Sequence, residues 1–227
     1  ATESPTTSGG YAHNGVAGFF GRINYNYKER YLIDLNGRYD GSSRFINDKR
    51  WGFFPSLSVG WNIAREDFFR NIADKAHIDV LKLRGSWGQL GNQEIGNYAF
   101  YNTYVFGQNY SFGNMLAPGV SINDKMGNSI ITWEKTDQVD FGVDASFLAG
   151  KLNFSGDFFL KNTKDILLDL PIPDVVGVDA PTQNAGKVRN VGMEMVLTHN
   201  NQVRDFKYFA TFNFSYVHNE ITDLKEG

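Results

Sequence analysis

The feature that most constrains this chain is a two-residue alternation running through residues 138–161. Val139, Phe141, Val143, Ala145 and Phe147 alternate with Gln138, Asp140, Gly142, Asp144 and Ser146. After a break at Leu148-Ala149-Gly150-Lys151 the pattern resumes. Leu152, Phe154, Gly156, Phe158 and Leu160 fall on one face, Asn153, Ser155, Asp157 and Lys161 on the other. Successive side chains of a strand point to opposite sides, so the segment predicts a hairpin with one apolar and one charged face. Such a hairpin suits the wall of a transmembrane β-barrel, apolar towards lipid and polar towards a wet lumen. A soluble sandwich also alternates, so the hairpin by itself does not separate the two.

The same period recurs along the chain. Residues 1–15 are small and polar and read as loop, and strands are expected near 16–27, 31–41, 53–64, 81–90, 136–147, 152–163, 191–198 and 206–217. In the cleanest of these, Tyr31, Ile33, Leu35, Gly37 and Tyr39 oppose Asp34, Asn36, Arg38 and Asp40. The apolar faces read in this way hold no Asp, Glu, Lys or Arg. A charge facing the bilayer midplane costs about 2–4 kcal/mol, whereas a soluble protein tolerates an occasional outward Lys. That difference favours a membrane wall.

Connections alternate as well. Those at 28–30, 148–151 and 199–205 are short, and those at 41–52, 88–135 and 165–190 are long. Outer-membrane barrels have short periplasmic turns and long extracellular loops. The segment 65–79 falls on the short-turn side yet is long. Its Phe68, Phe69, Ile72 and Ala76 are spaced for a short helix, and the pattern supplies no reason for its length.

Composition excludes more than it proves. The mean hydropathy of −0.36 resembles that of a soluble chain, but half of every barrel strand is polar, so this test is blind to barrels. No stretch approaches the roughly 18–20 apolar residues of a membrane helix. A net charge of −3 gives no electrostatic reason to expect nucleic acid. The chain has no cysteine, which rules out disulfides and thiolate metal sites. With no signal peptide before Ala1, the chain reads as mature or as a fragment. His13, His77, His199 and His218 are scattered through loops and turns without metal-ligand spacing. No catalytic residues, cofactor or metal are expected, and no enzymatic activity.

The candidate functional residues fall in two groups. Asp34, Arg38, Asp40, Arg84, Asp140, Asp144 and Asp157 sit on polar faces and are expected to line the lumen. Asp137 is grouped with Asp140 on that wall, and Arg38, Asp40 and Arg44 read as an ion-pair ladder where a strand leaves the membrane. Trp61, Trp87, Tyr25, Tyr31, Tyr39 and Tyr216 lie near strand ends on apolar faces, as an interfacial aromatic girdle would. The loop aromatics Tyr98, Phe100, Tyr101, Tyr104, Phe106, Tyr110 and Phe112 are not explained by membrane packing. They suit stacking on a ligand or contact with a partner's apolar surface, the alternatives being a small core of the loop's own or a strand extended above the membrane.

Several segments resemble one family. Arg38-Tyr39-Asp40-Gly41-Ser42-Ser43-Arg44-Phe45, Trp51-Gly52-Phe53-Phe54-Pro55-Ser56 and Gly60-Trp61-Asn62-Ile63 are similar to the barrel of SusC/RagA-type TonB-dependent transporters. So are Leu81-Lys82-Leu83-Arg84-Gly85-Ser86-Trp87-Gly88, Gly91-Asn92-Gln93, Trp133-Glu134-Lys135-Thr136, Lys161-Asn162-Thr163-Lys164-Asp165 and Asn190-Val191-Gly192-Met193-Glu194. The resemblance implies a bacterial outer-membrane location and a barrel of about 22 strands around a plug. It also implies coupling to TonB and a SusD-like surface lipoprotein as lid, for import of glycans or peptides in Bacteroidota. Neither a plug domain nor a TonB box is found in these residues. The chain is therefore expected to be about eight antiparallel meander strands of a larger all-β transmembrane barrel. The remaining strands would come from another chain or segment, and TonB would be engaged through the missing N-terminal part. Two other readings are a self-contained eight-stranded barrel serving as anchor or adhesin, and a soluble β-sandwich that binds or processes carbohydrate.

Overall fold

The computed structural model describes residue 9 and residues 11–224. Most of the polar stretch 1–15 expected as loop lies outside these. Eight long antiparallel strands form one sheet: β1 Val16–Tyr27, β2 Tyr31–Ser42, β3 Trp51–Asn62, β4 Ile78–Asn92, β9 Glu134–Phe147, β10 Leu152–Lys164, β13 Lys187–Val203 and β14 Phe206–Asp223. Their order in the sheet is their order in the chain, so the wall is a meander. The connections hold β5 Tyr104–Phe106, β6 Tyr110–Phe112, β7 Met115–Ala117, β8 Val120–Ile122, β11 Leu167–Asp169, β12 Thr182–Asn184 and the short helix α1 Arg70–Ala76.

Among the described residues β1 and β14 are the two ends of the sheet and do not pair with each other. The eight strands do not close on themselves, which counts against a self-contained eight-stranded barrel. The wall is a segment of a larger one.

Register shows how the sheet partitions lipid from lumen. Directly paired residues share a face, so Ile23, Leu35, Leu57, Trp87, Val139, Leu160 and Val191 form one continuous outer row. In β9 the outer face stays apolar from Val139 to Phe147, matching the roughly 9–11 residues that a tilted strand needs to cross a membrane. One step further towards the long loops, the outer row becomes Gln89, Asp137, Asn162, Arg189 and Glu220. Charge thus enters the outer face abruptly, where the strands rise out of the hydrocarbon.

This row corrects two expectations. Asp137 lies on the outer face and Asp140 on the inner one, so they are not a shared lumen lining. His199 and His218 lie within β13 and β14 rather than in turns. The β13–β14 turn is only Arg204-Asp205, because pairing continues to Val203 and Phe206.

The short turns adopt left-handed backbone without glycine at most positions. Lys28, Glu29, Leu148, Ala149 and Arg204 all have φ between 53° and 58°, the geometry that matches the twist of a tight hairpin. On the opposite rim the strands part. Pairing of β3 with β4 stops at Ser56 and Gly88, just before Pro55, which has no N–H to donate. The gap is filled by the chain's main buried cluster: Phe45, Phe54, Phe100, Ile131 and Trp133.

Candidate functional site

The inner face carries an ion-pair network laid across adjacent strands. Arg84 on β4 donates from Nε to Asp144 Oδ2 at 2.7 Å, and its Nη1 lies 3.0 Å from Asp157 Oδ1. One guanidinium thus ties β4 to both β9 and β10. Ser155 Oγ donates to Asp144 Oδ1 at 2.8 Å, and Asp140 adjoins Asp157 on the same face. Towards the other edge, Arg22 pairs with Asp34, which also accepts from Asn24 at 3.1 Å and Asn36 at 2.8 Å. Arg38 pairs with Asp40 at 3.1 Å. Between the two networks a concavity of about 440 Å³ is lined by Asn24, Asp34, Ser58, Lys82, Arg84 and Asp140. Such a surface holds water and offers polar contacts to a solute moving past it.

All seven residues expected to line the lumen therefore share the inner face. Arg44 does not join the Arg38–Asp40 pair. Its Nη1 donates to the Gln93 carbonyl at 3.1 Å and its Nε to Asn97 Oδ1 at 3.3 Å, fastening one long loop to another. The inner face is also less uniformly polar than the alternation suggests. Phe20 and Phe54 pair with Arg38 and Phe159 with Asp140, Leu32 and Phe209 lie on the same face, and Phe20 is 82% exposed.

The long connections form a joined platform rather than separate loops. Lys125 Nζ pairs with Asp169 at 2.6 Å, and Asn128 Nδ2 donates to the Thr182 carbonyl at 2.9 Å. The Asn184 side chain accepts from Thr132 N–H and donates to the Thr132 carbonyl, each at 2.8 Å. Trp133 Nε1 donates to the Arg50 carbonyl at 3.1 Å, which brings in the 43–50 loop.

The loop aromatics divide among three places. Phe100 is in the buried cluster, 9% exposed, and so is structural. Tyr98 and Tyr101 line a concavity of about 260 Å³ with Asn97, Asn123, Lys125 and Thr182. Tyr104, Phe106, Tyr110 and Phe112 lie on a two-tier hairpin in which β5 pairs with β8 and β6 with β7. Cross-strand pairing sets Tyr104 beside Ile122, Phe106 beside Val120 and Phe112 beside Met115. Each of these side chains is more than half exposed; Phe106 is 78% exposed. The hairpin therefore carries a cluster of exposed apolar side chains on the loop side of the wall. Val120 and Ile122 carry the same two-residue period as Tyr104 and Phe106, a signal present in the sequence, whereas Met115 meets Phe112 only across the β6–β7 turn.

Comparison with known proteins agrees with this geometry. The family model described as "TonB dependent receptor-like, beta-barrel" matches residues 2–227. The chain is 37% identical over 220 residues to the TonB-dependent receptor SusC of Bacteroides thetaiotaomicron, covering 94% of this chain and 21% of that one. A TonB-dependent receptor of Formosa agariphila is 35% identical over 223 residues, covering 97% of this chain and 21% of the relative. Among solved structures, the RagAB peptide transporter superposes with a TM-score of 0.83 at 32% identity, over 93% of this chain and 22% of that one. The siderophore receptor PirA from Pseudomonas aeruginosa, 14% identical with a TM-score of 0.60, shares the fold. The chain spans about a fifth of the length of the curated relatives it matches. Its lipid-facing outer row, charged inner face and match along almost its whole length lead to one assignment: the chain belongs to the TonB-dependent receptor β-barrel family and forms part of a barrel in the bacterial outer membrane.

Proposed function

We propose that this chain is the wall, lumen lining and extracellular platform of a SusC-type importer. It takes up glycans or peptides with a SusD-like surface lipoprotein as lid, and a plug and TonB coupling are supplied by the rest of the protein. The observation that carries this reading is the hairpin Tyr104–Ile122. It presents Tyr104, Phe106, Tyr110 and Phe112 to solvent on the loop side of a membrane wall, where no lipid covers them. Rigid aromatic side chains dominate binding energy at protein contacts. Tyr98 and Tyr101, beside Lys125, are the residues placed to meet a solute held under the lid. Asp34, Arg38, Asp40, Arg84, Asp140, Asp144 and Asp157 then line its route. No step needs covalent chemistry; the reading is of a transporter, without cofactor.

The test is a complete receptor in which Tyr104, Phe106, Tyr110 and Phe112 are replaced together by Ser. Barrel assembly, read by heat-modifiable gel migration, is expected to be unchanged. Co-purification with the lipoprotein should weaken at least about tenfold, equivalent to about 1.4 kcal/mol, and uptake should fall with it. Full lid binding and full uptake by this variant would remove the reading.

A further inference from the structure

The connection from β3 to β4, residues 63–77, is long on the side where the other turns are tight. Its course is set by Glu66. The residue is 7% exposed, and its Oε1 accepts from Trp61 Nε1 at 3.0 Å while Oε2 accepts from Arg30 Nη1 at 3.2 Å. Tyr31 also hydrogen-bonds this carboxyl. Tyr31 and Trp61 are direct register partners at the periplasmic end of the outer row that continues through Ile33 and Val59. Since both partners stand on the lipid side, the connection folds back onto the outer rim of the wall.

From that fastening the chain turns helical. Arg70 N–H donates to the Glu66 carbonyl at 3.1 Å, and α1 follows. Ala73 is buried against the body of the protein, whereas Phe68 is 66% and Ile72 54% exposed. Phe68 lies in the turn that leads into α1 and Ile72 within α1 itself, so two exposed apolar side chains follow the Glu66 fastening within six residues. Through Glu66 the segment that carries them is fastened to Tyr31 and Trp61, at the edge of the membrane-facing band. Arg65 and Arg70 flank them with side chains 60% and 67% exposed, although each also reaches a nearby carboxylate, Glu29 and Asp67.

We propose that residues 63–77 form an interfacial anchor. Phe68 and Ile72 enter the periplasmic leaflet of the outer membrane, and Arg65 and Arg70 meet phospholipid phosphates. Short amphipathic segments bind in this way, with an apolar side at the headgroup boundary and cations beside it. The partner is the phospholipid surface itself, and the extra length of the connection is what lets the chain reach it. The inference rests on the assignment of the outer row to lipid.

This chain has no cysteine, so single Cys variants in it, made in a complete receptor whose other cysteines, if any, are replaced by Ser, spin-labelled and reconstituted in phosphatidylethanolamine–phosphatidylglycerol vesicles, provide the test. Phe68→Cys and Ile72→Cys labels should collide with dissolved oxygen several-fold more, relative to a water-soluble nickel chelate, than an Asp74→Cys label. A Leu35→Cys label in the same vesicles reports the barrel wall. If Leu35 is lipid-exposed but positions 68 and 72 are as open to the chelate as position 74, the anchor is overturned, and the apolar pair is left for a periplasmic protein. If Leu35 is itself open to the chelate, the lipid assignment fails and the anchor with it.

Discussion

Gly91 shows how much a single side chain decides at the loop-side rim. A Cβ built there would fall well inside contact distance of the Phe54 ring. That ring cannot swing away, because it is 7% exposed and packs edge-on against Trp133 at 5.3 Å. Gly91→Ala should therefore cost about 1–3 kcal/mol, the usual penalty for forcing atoms into a filled core. Phe54→Leu should recover part of that loss, giving a non-additive pair. Urea titration of the refolded receptor checks the magnitude, and hydrogen exchange in residues 43–54 and 128–134 checks the location. Equal, additive losses would mean that the two residues do not meet.

The β3–β4 connection is an element whose attachment depends on one ionised group. Hydrogen bonds from Trp61 and then Tyr31, assisted by the charge of Arg30, hold the Glu66 carboxyl below its ordinary value of 4.5. A carboxyl depressed in the folded state stabilises it fully above the unfolded pKa, and the contribution is lost as pH falls through the folded one. Hydrogen exchange across residues 63–77 should thus be flat in its protection from about pH 8 to about pH 5 and lose protection only below about pH 4.5. Glu66→Gln should loosen the segment at neutral pH and flatten the acid response. An acid response unchanged in that variant would assign it to another group.

For the whole molecule, the governing fact is which side of the sheet meets hydrocarbon. Val143 lies in the outer apolar row and pairs with Leu83 and Gly156. Val143→Lys should destabilise insertion into vesicles by about 2–4 kcal/mol. Ser58→Lys, on the inner face in register with Asp34, should be close to neutral. Folding titrations followed by heat-modifiable migration separate the two. The reverse ranking would turn the sheet inside out and end the barrel assignment.

The alternation by itself was enough to show that the chain forms strands with one apolar and one polar face, because side-chain direction in a strand follows from covalent geometry alone. It did not say where outer-face charge begins, since Asp137 and Val139 have the same parity and differ only in height above the membrane. Nor did it separate Phe100 from Tyr98 and Tyr101. All three are aromatic loop residues; burial against Phe45, Ile131 and Trp133 depends on segments far apart in the chain. The joining of the two long loops through Asn184 and Lys125, and the fold-back of Glu66 onto Trp61, were likewise decided only in three dimensions. Local pattern fixes what one strand does, but a hydrogen bond between distant segments exists only once the whole wall has set their spacing.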